Sequence, residues 1–295
     1  MKILISGAGG YLGTEIIKQL VKTENKIYAL TSNKVKIEER FGSSVIGLSN
    51  DELFAEKSFL SEIDIIVHCA FARGHKKGKE IAKSLLFTTN LFDNVAKNEK
   101  TGIINISTQE VYGKIQAPWN EIMEAEPVTV YGTVKYFSEL YLKKISENSN
   151  IAFTNLRLAG LIGVGADTRM VSKFVDSALK GDPIKISNNN LLFSQLDIHD
   201  AAAGIIALLN IPFKNWKQIY NLGYLKSYTI KEIAETVKQV AKDYHIDVEI
   251  KKEPSDAILY AELDSTKLYQ DTKWQPQYNM EQIVRSIFEE KIKKL

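Results

Sequence analysis

The sequence predicts an α/β protein of two lobes: a doubly wound parallel sheet with helices on both faces, then a smaller mixed α/β lobe. Three observations lead there. Through the first two hundred residues, short runs rich in Ile and Val alternate with longer helical stretches. Such alternation implies crossover units and a sheet buried on both faces. A glycine cluster, Gly7-Ala8-Gly9-Gly10-Tyr11-Leu12-Gly13, stands between the first run and the first helical stretch, and beyond Gly160 the rhythm loosens.

The elements follow in order. Strands are expected over 3–5, 27–30, 45–48, 63–69, 102–107 and 151–158, with helices over 11–21, 79–98 and 130–147. Later helices are expected over 168–179, 201–209, 230–244 and 280–294, with loops at 181–183 and 187–190. A first domain over 1–165 and a second lobe over 166–295 are expected, some segments of the second returning to the first. A cleft between lobes is where small ligands tend to bind.

Composition narrows the field. Of 295 residues, 44% are apolar and 25% charged, enough for a sizeable core in a soluble chain. The 38 Lys and Arg nearly cancel the 36 Asp and Glu, and the basic residues are scattered, so no nucleic-acid footprint is expected. Cys69 is the only cysteine, which excludes an internal disulfide and fits a reducing compartment. The opening Met1-Lys2-Ile3-Leu4-Ile5-Ser6-Gly7 is too short an apolar stretch for a signal sequence, and no apolar run approaches the roughly 18 residues that span a bilayer. A cytoplasmic protein with no membrane partner and no metal site is the expectation.

The glycine cluster carries the first chemistry. Glycines at 7, 10 and 13 let the chain turn tightly, let backbone approach a pyrophosphate and let helix pack on strand. At the end of a first strand and the start of a first helix this is a dinucleotide loop, and the 1–165 domain is read as Rossmann-type. Which dinucleotide depends on the end of the second strand, where a carboxylate would take the ribose 2′-OH of NAD. Here that strand ends Ala29-Leu30-Thr31-Ser32-Asn33-Lys34, with no acid until Glu38. Thr31, Ser32 and Lys34 can bond and neutralise a 2′-phosphate, so NADP(H) is favoured over NAD(H).

Tyr131 and Lys135 lie four apart on a helical stretch and so share a face. A lysine beside a phenol favours the phenolate, and the same ammonium can hold a nicotinamide ribose. Upstream, Thr108 closes a strand where its hydroxyl can bond the substrate oxygen that Tyr131 protonates or deprotonates.

The residues around these three carry a resemblance. Ser107-Thr108-Gln109-Glu110-Val111-Tyr112-Gly113 is similar to the S-[ST]-x-x-V-Y-G stretch of the extended short-chain dehydrogenase/reductases. Pro127 through Tyr131 and Lys135 to Glu139 resembles their P-x-x-x-Y-x-x-x-K…E helix, and Asp64 through His68 to Ala70 their D-x-V-x-H-x-A strand. Leu156-Arg157…Gly163, Tyr220-Asn221-Leu222-Gly223 and Asp264-Ser265-Thr266-Lys267…Trp274-Gln275-Pro276 continue the match, in order, along the whole chain. The resemblance points to the NAD(P)-dependent sugar epimerases, dehydratases and reductases, which usually handle nucleotide-diphosphate sugars. It implies catalysis by Tyr131, Lys135 and Thr108. It also implies cofactor contacts along Gly7, Gly9, Gly10, Tyr11, Leu12 and Gly13 and at Cys69 and Ala70, and a homodimer paired through the helices at 79–98 and 130–147. Leu85, Leu86, Leu91, Phe92, Val95, Phe137, Leu140 and Tyr141 are the apolar candidates for that contact, unless they face the sheet. His68 lies on an apolar strand and reads as a core histidine.

Three departures bear on the substrate. Family dehydratases often carry Thr-Asp-Glu where this chain has Thr108-Gln109-Glu110, and a neutral amide cannot donate a proton as a carboxylic acid does. Glu110 can still act as a base or touch substrate. No asparagine follows Leu156-Arg157, and Leu192 to Asp200 holds no arginine, although family members grip the diphosphate with both. Either other cations such as Arg169 and Lys173, four apart on an expected helix, take that role, or the substrate is not an ordinary nucleotide sugar. The reading is therefore an epimerase or keto-sugar reductase on a nucleotide-linked sugar. The alternatives are a 4,6-dehydratase and a non-catalytic NADP-binding regulator, which would need none of Thr108, Tyr131 and Lys135.

Overall fold

Side chains alternate across the central sheet with the period of two that a strand imposes. Ile3, Ile5, Ile65, Val67 and Ile104 point to one face, and Leu4, Ile66 and Ile103 to the other, all fully buried. The computed structural model describes residues 1–55, 59–73, 76–98, 100–149, 151–187, 191–254 and 261–294. Of the loop expected at 187–190, residues 188–190 lie outside the described residues.

Seven strands build the sheet: β1 (Lys2–Ser6), β2 (Lys26–Leu30), β3 (Val45–Leu48), β4 (Ile65–His68), β5 (Gly102–Thr108), β6 (Phe153–Leu158) and β11 (Ile219–Leu222). All pair in parallel, in the order β11-β6-β5-β4-β1-β2-β3. The direction of winding reverses between β1 and β4. In open α/β sheets that reversal leaves a crevice at the carboxyl ends of the strands. Ser6 stands opposite Leu30 on one side and His68 on the other, so Gly7, Thr31 and Cys69 leave the sheet together at that crevice.

Helices cover both faces. On one, Ile16, Ile17 and Leu20 of α1 (Tyr11–Leu20) join Ala201, Ala202 and Ile205 of α7 (Ile198–Leu209). On the other, Leu91, Phe92 and Val95 of α4 (Gly78–Val95) meet Leu142 of α5 (Val130–Ser149). Each of the buried Ile, Leu, Phe and Val side chains among these contributes about 1.5–3 kcal/mol, the alanines less. Two short helices, α2 (Lys34–Phe41) and α3 (Asn50–Ala55), complete the β2–β4 crossovers. Neither was expected from the sequence, because α2 reads Lys-Val-Lys-Ile-Glu-Glu-Arg-Phe and buries only Ile37.

A second core lies under α6 (Met170–Lys180), α8 (Ile230–Asp243) and α10 (Met280–Ile292), where Phe174, Val175, Ile233, Val237, Val284 and Phe288 pack together. Three small sheets lie in this half of the chain. They pair β7 (Gly160–Ile162) with β10 (Gln195–Asp197), β8 (Ile184–Ser187) with β13 (Ile250–Glu253), and β9 (Leu192–Phe193) with β12 (Tyr228–Thr229). The loop expected at 181–183 begins at Gly181, whose φ of 73° ends α6 in the left-handed region. A further helix, α9 (Thr266–Thr272), packs on β11. Among the described residues, no helix is long and apolar enough to cross a membrane, and no cluster of His, Cys, Asp and Glu could hold a metal ion.

Candidate active site

The glycine cluster turns at the crevice under tight constraint. Gly7 has φ 69°, and a Cβ there would stand 2.8 Å from the Ala70 nitrogen; one on Gly13 would stand 2.4 Å from the Gly7 carbonyl oxygen. A side chain on Gly7 would collide with the Cys69-Ala70 backbone, and one on Gly13 would push the helix from the end of β1. Gly10 caps α1 without a side-chain hydrogen bond, which leaves the helix N-terminus available to an anion. Beside it opens a cavity of about 640 Å³, lined by Gly7, Gly9, Gly10, Thr31, Ser32, Asn33, Cys69 and Ala70 among others. These residues fit a dinucleotide's pyrophosphate and adenosine half.

At the far end of this cavity the sequence expectation needs adjustment. Lys34 opens α2 and is bonded to Glu52 at 2.6 Å, outside the cavity lining. Lys36 and Arg40, one helical turn apart, line the cavity instead. Among the described residues, no Asp or Glu lines it.

A second cavity, of about 460 Å³, continues past Gly7 and Gly10. Tyr11, Leu12, Gly13, Thr108, Gln109, Glu110, Tyr131, Arg73 and Arg169 are part of its wall. The Tyr11 hydroxyl donates to the Ile162 carbonyl at 3.2 Å, fixing its ring over this wall. Thr108 is buried and its hydroxyl accepts from the Glu110 N–H at 3.3 Å. Thr108 and Tyr131 therefore face the same space.

Lys135 behaves differently from the expectation. It is 2% exposed, and its ammonium donates to the Ile106 carbonyl oxygen and sits 4.5 Å from the centre of the Phe71 ring. Burial lowers its pKa to about 8. Phe71 in turn stands edge-on to Tyr131, ring centres 6.2 Å apart. Burial, then Glu110, pushes the Tyr131 pKa up to about 12, and the charges that oppose this are Arg169 and Arg73. Helical spacing puts both residues on one face, but the long lysine reaches to the sheet, with Phe71 against both side chains.

Behind the site lies a buried polar seam. Arg157 on β6 donates from Nη2 to Glu139 on α5 at 2.7 Å and from Nε at 3.1 Å, and the Ser107 hydroxyl donates to the same carboxylate. Burial opposes the Arg157 charge, but the Glu139 bonds outweigh it and raise its pKa. Tyr112 lies under the guanidinium, stacks on Trp119 and donates to Asn221 on β11 at 2.8 Å. Gly113 follows with φ 59°, where a Cβ would collide with the Glu126 carbonyl at 1.8 Å. The Val-Tyr-Gly and Tyr-Asn-Leu-Gly stretches are thus two halves of one joint. His68 is wholly buried between Ser6 at 2.7 Å and Thr88 at 2.9 Å, and burial lowers its pKa to about 3. It is a neutral core histidine.

On the substrate side, Glu110 accepts from the Thr129 hydroxyl at 2.8 Å at the cavity rim. Gln109 lines the cavity with its amide oxygen buried and unpartnered. Arg169 lines the cavity, whereas Lys173 is exposed and does not. Arg73 was missed in the sequence, since it belongs to no recognisable motif. Cys69 lines both cavities, and burial raises its thiol to about 12, so it stays protonated.

Comparison with known proteins supplies a second line. A family model described as the NAD dependent epimerase/dehydratase family matches residues 3–223. The UDP-glucose 4-epimerase of Lactobacillus helveticus is 24% identical, with 96% of this chain and 95% of that protein covered. The solved UDP-N-acetylglucosamine 4-epimerase from Bacillus cereus superposes with a TM-score of 0.83 at 24% identity, 98% of each chain covered. The UDP-glucuronic acid 4-epimerase from Bacillus cereus, solved in complex with UDP-glucuronic acid and NAD, superposes with a TM-score of 0.83 at 18% identity over 100% of both chains. These structural likenesses are likenesses of fold.

Proposed function

The chain belongs to the NAD dependent epimerase/dehydratase family, and from that premise we propose that it epimerises or reduces a nucleotide-linked sugar at a hydroxyl or keto carbon. The observation that carries this reading is the shared wall on which Thr108 and Tyr131 face one space, continuous with the glycine loop. Thr108 bonds the substrate oxygen and fixes its position. Tyr131 takes the proton from that oxygen in the oxidising direction and returns it in the reverse. A nicotinamide held there would supply the hydride acceptor and donor. Lys135 holds the ribose, and Arg73 and Arg169 hold the anionic part of the substrate. An epimerase runs both directions on one substrate. Dehydration is the weaker reading, since Gln109 has no acidic proton to give.

The cofactor proposed is NADP(H) in preference to NAD(H), although the related complex above holds NAD. What supports it is the acid-free lining at Thr31, Ser32 and Asn33 and the cations Lys36 and Arg40, with Lys83 also on the cavity wall. One experiment covers substrate and cofactor. Purified protein is titrated with NADPH and NADH, then incubated with either and a panel of hydroxy and keto nucleotide sugars, with products identified by mass and chromatography. NADPH should bind about tenfold tighter than NADH, and Arg40→Ala should erase most of that margin. Tighter NADH binding ends the cofactor proposal; an unconverted panel with bound cofactor ends the substrate proposal.

The same reading includes a homodimer through α4 and α5. Leu91, Phe92 and Val95 are consumed by the core, but Leu86, Phe137 and Leu140 are 62%, 45% and 48% exposed on the outer face. Light scattering at micromolar protein should give twice the chain mass, and Leu86→Glu with Leu140→Glu should halve it. A monomeric wild type removes this part of the reading.

A further inference from the structure

Two cavities meet along one seam. Gly7, Gly10, Cys69 and Phe71 line both, and Phe71 is the one large side chain among these four. The adenosine half of a dinucleotide fits against Thr31 to Asn33 in the first cavity, whereas Thr108 and Tyr131 stand in the second. A ligand long enough to reach from one to the other has to pass the Phe71 ring. That ring is not idle: it covers the Lys135 ammonium at 4.5 Å and is edge-on to Tyr131. Among the described residues, the only hydrogen-bond partner of that ammonium is the Ile106 carbonyl, so an ammonium with three donors has some to spare.

We propose that Phe71 is a positioning residue that ties dinucleotide binding to the acid–base pair, its ring resting on Lys135 until it turns out of the seam and leaves that ammonium to a ribose and to Tyr131. The inference rests on the cofactor reading above. The motion is confined to the side chain, because the backbone is tethered on both sides. The Ala70 N–H donates to Ser6 at 3.3 Å and the Ala72 N–H to Ser84 at 3.0 Å. Phe71 itself is partly exposed, with small Ala70 and Ala72 as neighbours, so its ring has room to swing. Burial keeps Tyr131 at about 12 while the ring is in place, and a lysine brought closer favours the phenolate.

The test separates ligands by length. Binding of NADPH and NADH, which span both cavities, is compared with adenosine 2′,5′-bisphosphate and AMP, which fill only the first, by stopped-flow and equilibrium fluorescence on the full chain. Removing a desolvated cation–π contact should shift the dinucleotide equilibrium by about three- to thirtyfold. Phe71→Ala should therefore tighten and speed dinucleotide binding by that factor and leave the short ligands unchanged. Phe71→Leu, which keeps apolar bulk without the aromatic face, should fall between and guards against a misfolded alanine variant. An equal change for long and short ligands, no change at all, or weaker dinucleotide binding overturns the proposal while the cofactor reading stands. A wild type that binds neither dinucleotide overturns both.

Discussion

Tyr131→Phe should lower turnover by about 10²- to 10⁴-fold, the usual share of general acid–base catalysis, and leave dinucleotide affinity within about twofold. The substitution removes one oxygen and keeps the ring that packs against Phe71. Thr108→Val keeps shape and deletes the hydroxyl, so it should depress kcat with little change in cofactor binding. Lys135→Met should impair both, because the ammonium serves ribose and phenol together. The pH dependence has a definite sign. With the free phenol at about 12, the deprotonated form needed for oxidation grows as pH rises, so kcat/KM for oxidation should climb from pH 7 to 10. The reducing direction needs the protonated phenol and should stay flat over the same range. Single-turnover measurements with the identified substrate decide this, and near-normal turnover in Tyr131→Phe would falsify the mechanism.

Glu139→Ala should destabilise the fold by about 3–5 kcal/mol, the cost of leaving a buried charge without its partner. Glu139 and Arg157 are 3% and 2% exposed, and the same carboxylate takes the Ser107 hydroxyl next to Thr108. The pair lies beneath the site, so its loss should loosen the strand end that carries Thr108. Replacing both partners by apolar residues, Glu139→Leu with Arg157→Met, should recover most of the loss, since a well-packed apolar pair avoids the desolvation cost of two ions. Urea unfolding gives both numbers. A Glu139→Ala loss below about 1 kcal/mol would mean that water reaches the guanidinium and shares its charge.

Strands β1 to β6 of the large sheet were legible as short runs rich in Ile and Val, most of them buried on both faces, whereas β11, Ile-Tyr-Asn-Leu, is too short and too polar a run to be expected from the sequence. The helices α1, α4 and α5 were legible for the complementary reason: they pair one apolar face with a polar one. What escaped notice was either too polar or too short. α2 buries a single Ile37, so no helical period shows there, and Lys34 stands out as the cation at the strand's end while Lys36 and Arg40 do not. The two- to four-residue strands β7 to β10, β12 and β13 depend on distant partners and leave no local period. At the site, the spacing of Tyr131 and Lys135 was plain, but not the length of lysine that carries its charge to the Ile106 carbonyl. Nor could spacing reveal Phe71, since nothing in Cys69-Ala70-Phe71-Ala72 signals which ring will lie on which cation.

The position of β11 has a consequence for how the protein is made. β6 gains its outer neighbour only when residues 219–222 have been translated, well after β6 itself. At roughly 5–20 residues per second, the growing chain spends several seconds with the β6 edge bare. Tyr112 also waits for Asn221 over that interval. An unpaired strand edge is a template for foreign strands, so the hazard of misassembly is greatest on the ribosome, before the sheet acquires its final strand.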